Sequence, residues 1–275
     1  MNKSQKNIFK HSQRSTVIGM VHCAPLMGYD EYPGEKEVEK KFKTDLHTLI
    51  KGGVDAVMIE NNYDTPHFEK AKRSTVPQLT KLCLQARKIT DKPLGLCVLW
   101  NDYETALSIA KIAGFNFVRI PVFVDKVKTA HGVFDKKAKE VLEFREQINA
   151  QDILVFADVQ VKHAKHLIKR PLGDAVRDAV NSGADGIIIT GKWTGDPPTI
   201  DDVREAYKIT GDIPLLIGSG VTSDNVKNYD VSGIIIGSYF KEKFFPDKKD
   251  EHNIFPWSCK IELDKVKDFM KSVKL

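Results

Sequence analysis

Ten polar residues stand at or near the ends of apolar runs. His22 follows VIGMV, Glu60 and Asn61 follow VDAVMI, and Asn101 follows LGLCVLW. Arg119 lies inside FVRI, Thr190 ends GIIIT, and Asp158, Gln160, Lys162 and His163 close or follow ILVFADV. Two carboxylates on different runs, Glu60 and Asp158, suit a general base and its orienting partner. They equally suit joint ligation of a divalent ion such as Mg2+ or Mn2+. The competing reading makes Glu60 a turn cap or the partner of a cation, and Asp158 half of a buried ion pair with Lys162 or Arg119. A guanidinium inside a four-residue apolar run must be paired or must reach an anion, so a salt bridge and a substrate clamp are both open for Arg119. Asp158, Gln160 and Lys162 share parity, and so one face if the strand runs that far. Lys162 can pair with a phosphate or carboxylate, or form a Schiff base if its pKa is depressed. His22 and His163 read either as acid–base groups or as hydrogen-bonded structural residues. Asn61 and Asn101 suit recognition of sugar hydroxyls.

A second constellation carries an anion site. The runs LLI (215–217) and III (234–236) each end in glycine with a small hydroxyl residue: Gly218-Ser219-Gly220 and Gly237-Ser238. Glycine lets the backbone approach a phosphate, and free N–H groups with hydroxyls hold it. The plainer alternative is that tight turns need glycine for their geometry alone. Gly191, Lys192 and Thr194 can wall the same site, with Trp193 as a lid or a packed loop residue.

These residues need a scaffold that brings strand ends together. Apolar runs predict strands at 17–21, 54–60, 94–99, 117–120, 153–159, 185–190, 215–217 and 234–236. Amphipathic stripes and caps predict helices between them at 35–51, 76–90, 103–113, 135–150, 171–182, 199–210 and 223–229, the last capped by Thr222. A basic amphipathic helix at 261–273 closes the series. Eight alternating pairs argue for a parallel sheet. The phosphate-type turns after the last two strands select a closed (β/α)8 barrel, an α/β fold, over an open sheet. The first turn, His22-Cys23-Ala24-Pro25, lacks the glycine fingerprint of a dinucleotide fold. The expected organisation is one domain over 1–275, with 1–15 a flexible N-terminal segment.

Composition narrows the function classes. The chain has 275 residues and a net charge of +5, from 42 basic and 37 acidic residues spread along helices rather than clustered. A solvated lysine-rich surface is the expectation. A nucleic-acid groove has only Lys126, Lys128 and His131 near Phe123 and Phe134 to support it. No apolar run approaches the ~20 residues of a membrane span. The opening MNKSQKNIFKHSQRST has no apolar core, so no secretory signal is expected. Cys23, Cys83, Cys97 and Cys259 form no CxxC pair, and no HExxH is present, so neither zinc nor a disulfide framework is suggested. A cytoplasmic location with free thiols follows as an expectation.

VIGMVHCAPLMG, GGVDAVMIENNYDTPHF, LGLCVLWNDYETALSIAKIAGFNFVRI, VFADVQVKHAKHL, GADGIIITGKWTGDPP and PLLIGSGVTSDNV occur in this order. Together they resemble the BtpA family from about residue 17 to 241. The resemblance implies a TIM barrel of the ribulose-phosphate-binding type. That family is named for a factor needed to accumulate photosystem I in cyanobacteria. A bacterial relative sits among sugar-metabolism proteins and carries a nucleoside-triphosphatase label. The family's opening loop follows a pattern like HLPPLPG; here it is His22-Cys23-Ala24-Pro25-Leu26-Met27-Gly28, with fewer prolines but the same His and Gly.

Two functions follow as expectations. The first is an enzyme on a small phosphorylated metabolite, a sugar phosphate or nucleotide. Its phosphate would sit at Gly218–Gly220 and Gly237–Ser238, and acid–base chemistry would come from Glu60, Asp158, Lys162 and His22. Arg119, Asn61, Asn101, Gln160, His163 and Thr190 would bind the rest of the substrate. Aldol cleavage, isomerisation or epimerisation, and cleavage at a sugar C1 all suit that layout. The second is a non-catalytic assembly factor, in which the same charges form an internal lattice without an open pocket. A homo-oligomer is expected only by analogy with barrels at large.

Overall fold

A computed structural model describes residues 5, 8, 9, 14–242 and 256–273. Eight parallel strands close into a barrel: β1 (Thr16–His22), β2 (Ala56–Glu60), β3 (Leu94–Cys97), β4 (Phe117–Ile120), β7 (Leu154–Val159), β9 (Gly186–Thr190), β10 (Leu215–Gly218) and β11 (Gly233–Ile236), with β11 returning to β1. Around it lie α1 (Glu35–Gly52), α2 (Thr75–Ile89), α3 (Tyr103–Ala113), α4 (Ala138–Gln147), α5 (Leu172–Asn181), α6 (Ile200–Thr210) and α7 (Leu263–Val273).

Strand alternation divides the core in two. Val17, Val57, Leu96, Val118, Val155, Ile187, Ile217 and Ile234 face the helices. Ile18, Met20, Met58, Phe117, Phe156, Ile188, Leu216 and Ile235 fill the barrel interior. Phe117 and Phe156 stack there with centroids 4.8 Å apart. Glycine on the neighbouring strands makes room for them: a Cβ at Gly95 would lie 2.0 Å from the Phe117 ring, and one at Gly186 2.7 Å from Phe156. The same inward parity, followed toward the C-terminal ends, turns from hydrocarbon to His22, Glu60, Arg119, Asp158 and Thr190.

Most helices end within a residue of the expected positions, while α4 spans Ala138–Gln147 rather than 135–150. Gly53, at φ 94°, closes α1 by donating its N–H to Leu49 and Ile50 carbonyls. Asp102 and Thr199 cap α3 and α6 by accepting from Thr105 and Asp202 amides. Val266 of α7 packs on Gly52, where a Cβ would come within 2.2 Å of it.

Three expectations change. The helix foreseen at 223–229 is only a 3-10 turn, Val226–Asn228. Asn225, not Thr222, organises it: its Oδ1 accepts from the Thr222 amide and its Nδ2 donates to the Gly220 carbonyl. The strand foreseen at 94–99 stops at Cys97, because the Leu99 amide turns aside to donate to Asn61 Oδ1 at 2.7 Å. The loop before α4 forms β5 (Val127–Thr129) and β6 (Gly132–Phe134), which join β8 (Lys165–His166) in a three-stranded antiparallel sheet. That sheet ties the loops after β4 and β7 together over a small apolar cluster of Trp100, Val122, Val127, Phe134 and Val161.

The flexible segment expected at 1–15 lies mostly outside the described residues. Of those described, Ile8 and Phe9 are buried, Phe9 lies 5.9 Å from the Phe156 ring, and Gln5 Nε2 donates to the Asp185 carbonyl. No described helix is long and apolar enough to cross a membrane.

Candidate functional site

The C-terminal mouth of the barrel holds a pocket lined by His22, Glu60, Arg119, Lys162, Thr190 and both glycine turns. Asn62, Tyr63 and Trp100 wall one side, and Tyr239 and Lys241 line it after β11. His22 and Glu60 are register partners on adjacent strands, which sets His22 Nε2 3.8 Å from Glu60 Oε1.

Arg119 is the electrostatic centre. Its Nε and Nη2 donate to the two oxygens of Asp158 at 2.8 and 2.7 Å, and its Nη1 lies 3.5 Å from Glu60 Oε2. Burial works against the guanidinium charge, yet Asp158 more than restores it and holds Arg119 above its ordinary value. Asp158 is 1% exposed and lies beneath the pocket rather than in its lining. It is therefore the counter-ion that fixes Arg119, and the carboxylate open to a ligand is Glu60. The pair does not fit a shared divalent ion: both Asp158 oxygens are engaged, and a guanidinium stands between it and Glu60. Among the described residues no group of three or more His, Cys, Asp or Glu side chains is placed to hold a metal.

Lys162 Nζ donates to Ser219 Oγ at 2.9 Å, and that hydroxyl donates in turn to the Trp193 carbonyl at 3.0 Å. Burial, and then the charge of Arg119, lower the Lys162 pKa to about 8. The shared face expected for Asp158, Gln160 and Lys162 does not persist beyond β7. Gln160 adopts φ 51°, and its Nε2 turns away to donate to the Arg170 carbonyl. Lys162 reaches the pocket because the chain kinks there, not because the strand continues. Gln160, His163 and Ser219 are all non-glycine residues with left-handed backbone, φ 51°, 58° and 75°. Such strain collects at functional sites.

The remaining expected residues divide. Gly218, Ser219, Gly220, Gly237 and Ser238 all line the pocket. Thr190 does too, and its buried hydroxyl has no hydrogen-bond partner among the described residues. His163 lines it with Nε2 2.8 Å from Thr194 Oγ1, and burial followed by the Lys162 charge lowers its pKa to about 3. Asn61 and Asn101 are spent on structure. Asn61 bridges the Leu99 amide and Asp64, while Asn101 makes a two-way clamp with the Val122 amide and carbonyl. Asn62, one residue on, is the amide that lines the pocket. Phe123 and Phe134, the aromatics of the nucleic-acid reading, are both buried.

Sequence reasoning missed Tyr63 and Lys241. Lys241 is 4% exposed, and its Nζ donates to Tyr63 Oη at 2.7 Å. Burial, and then the neighbouring Lys41 charge, bring its pKa down to about 8. A lysine three residues past Ser238, between aromatic pairs, gave no periodic signal; only the closed ring brings it to Tyr63.

With the geometry in place, comparison with known proteins is informative. The BtpA family profile matches residues 13–271, beyond both ends of the stretch recognised above, and the chain belongs to this family. An uncharacterized protein of Pyrococcus furiosus is 36% identical over 233 residues, covering 83% of this chain and 87% of that protein. The Photosystem I biogenesis protein BtpA of Synechocystis is 34% identical over 230 residues, covering 82% and 80%. Among solved structures, tryptophan synthase from M. tuberculosis superposes with a TM-score of 0.61 at 13% identity, covering 100% of each chain. Phosphoribosyl anthranilate isomerase of Thermotoga maritima does so with 0.55 at 15%, covering 94% of this chain and 98% of that one. At such identity these structures establish the barrel fold alone.

Proposed function

We propose that the barrel mouth binds a small phosphorylated metabolite, a sugar phosphate or nucleotide, and turns it over by acid–base chemistry. The observation that carries the reading is the Lys162 ammonium set 2.9 Å from Ser219 Oγ, at the first of two glycine turns that share one pocket with Glu60 and Arg119. Lys162, Ser219 and the backbone of both turns would hold the phosphate. Glu60, with His22 beside it, is the proton-transfer group. Arg119, locked by Asp158, neutralises charge that develops on the substrate. Isomerisation or epimerisation, aldol cleavage and cleavage at a sugar C1 share these needs. Several of the structural neighbours are named for phosphoribosyl anthranilate isomerase, which fits the substrate class.

The test is a thermal-shift screen of phosphorylated sugars and nucleotides, with and without Mg2+, on the wild type and two variants. Ser238→Asp places a carboxylate in the seat and is expected to abolish the shift. Gly220 is a poor choice for this purpose, since a Cβ there would lie 2.2 Å from the Pro197 nitrogen and disturb the fold itself. Glu60→Gln is expected to keep the shift and lower turnover of the hit by ~10²–10⁴-fold. Full activity in Glu60→Gln discards its role, and an unchanged shift in Ser238→Asp discards the seat.

A second reading rests on the name of the Synechocystis relative, which points to assembly rather than catalysis. Under it the barrel is a binding module, and no phosphorylated compound in the screen would raise the melting temperature.

A further inference from the structure

The phenol of Tyr63 is buried, lines the pocket and is half used. Its oxygen accepts from Lys241 Nζ at 2.7 Å, and its own hydrogen has no acceptor among the described residues. A buried hydroxyl donor without an acceptor is costly to maintain, so water or a ligand atom in the pocket must accept from it. The ammonium behind it sharpens the implication, because a lysine donating to a phenol oxygen makes the phenol a stronger donor on its other side. Burial also holds the Tyr63 pKa above its ordinary value, which keeps the proton on the oxygen. The His22 ring lies edge-on to Tyr63 at 6.5 Å, and Glu60 Oε1 is 3.8 Å from His22 Nε2. Tyr63, His22 and Glu60 thus line one pocket, and a small substrate spans the gap between them.

We propose that Tyr63 donates its hydrogen to the carbonyl oxygen of the phosphorylated substrate, with Lys241 as the positioning residue behind it, which assigns the substrate class as a phosphorylated α-hydroxy aldehyde or ketone. This deepens the reading of the site given above and rests on it. In the step implied, Glu60 takes the proton from the carbon next to the carbonyl. The C–H electron pair becomes the C=C bond of an enediol, and the carbonyl π pair moves onto oxygen. That oxygen takes the phenolic proton, and Lys241 supplies one of its own to the phenolate. Glu60 then returns its proton to the former carbonyl carbon, while the hydroxyl on the neighbouring carbon loses its proton to the Tyr63–Lys241 relay and becomes the new carbonyl, completing an isomerisation without any oxidant or reductant. Lys162 is spoken for at the phosphate turn, so the two buried lysines divide the labour: one holds the anion, the other drives the donor.

The experiment compares three probes by calorimetry: inorganic phosphate, dihydroxyacetone phosphate, and glycerol 3-phosphate, which differs from the second only in having an alcohol where it has the carbonyl. The wild type is expected to bind the ketone at least tenfold more tightly than the alcohol. Tyr63→Phe, which keeps the ring, is expected to lose that preference while binding inorganic phosphate as before. Lys241→Met is expected to reduce the same ratio. A ratio of two affinities is not moved by general loosening of the pocket, so a purely structural role for the pair would leave it intact. Equal affinity for the two organic phosphates, or a preference that survives Tyr63→Phe, overturns the pair's role while leaving the phosphate seat standing. Failure of inorganic phosphate and both organic probes to bind removes the seat and the pair together.

Discussion

Arginine–carboxylate pairs occur at both ends of this barrel, and they hold different things. At the N-terminal end Asp55 accepts both Arg14 nitrogens, at 2.7 and 2.8 Å, and also the Val17 amide at 2.8 Å. Asp185 likewise accepts Arg145 at 2.5 Å and the Val155 amide at 2.9 Å. Each spends an oxygen on the backbone of a neighbouring strand, so each sews two staves together. At the C-terminal end Glu60 and Asp158 accept no backbone amide among the described residues; both converge on Arg119, and Glu60 lines the pocket. Residue type is alike at the two ends, but Asp55 and Asp185 are half-buried while Glu60 and Asp158 are buried. What separates structural from chemical carboxylates is what the second oxygen touches.

The strongest test of that contrast is Arg119→Met. It strands a carboxylate whose side chain is fully enclosed, and is expected to cost ~3–5 kcal/mol in urea unfolding. Coupling it with Asp158→Leu should recover most of that stability without recovering ligand binding. Asp55→Asn is the counterpart at the other end. The amide can still accept from Val17 but loses the charge pairing with Arg14, so the expected cost is about 1–3 kcal/mol. An equal or larger loss there would erase the distinction between the ends. The smallest effect is on pH dependence. With the Lys162 pKa lowered to about 8, its ammonium is present below that pH and lost above it. Affinity for inorganic phosphate, measured by calorimetry, is expected to fall several-fold as pH rises from 7 to 9, and Lys162→Met to flatten the slope. The sign for stability is opposite. An unfolded lysine keeps its proton to about 10.4, so the wild type gains stability between about pH 8 and 10.4, where only the unfolded chain is protonated.

The barrel was legible because each strand is an apolar run closed by a turn signal, and these signals are local. The strand-end residues were legible too, and in the structure inward parity carries hydrocarbon into His22, Glu60, Arg119 and Asp158. The illegible parts are non-local. Asn61 and Asn101 end their runs as Asn62 and Glu60 do, yet their amides are consumed by loop backbones that only the closed ring brings near. Gln160 obeys the parity of the strand until a left-handed backbone at that residue breaks it. The small sheet joins the β5–β6 hairpin to a distant β8, pairing Val127 with His166, and its strands of two or three residues are too short to show a period. Lys241 belongs to the site through a phenol 178 positions earlier.

The aromatic stopper formed by Phe9, Phe117 and Phe156 has a kinetic consequence. Among the described residues it fills the barrel beneath the Arg119 floor, so the pocket opens on the C-terminal side. Under the proposed function, substrate and product would then compete for the same seat, and product inhibition competitive with substrate is the expected result.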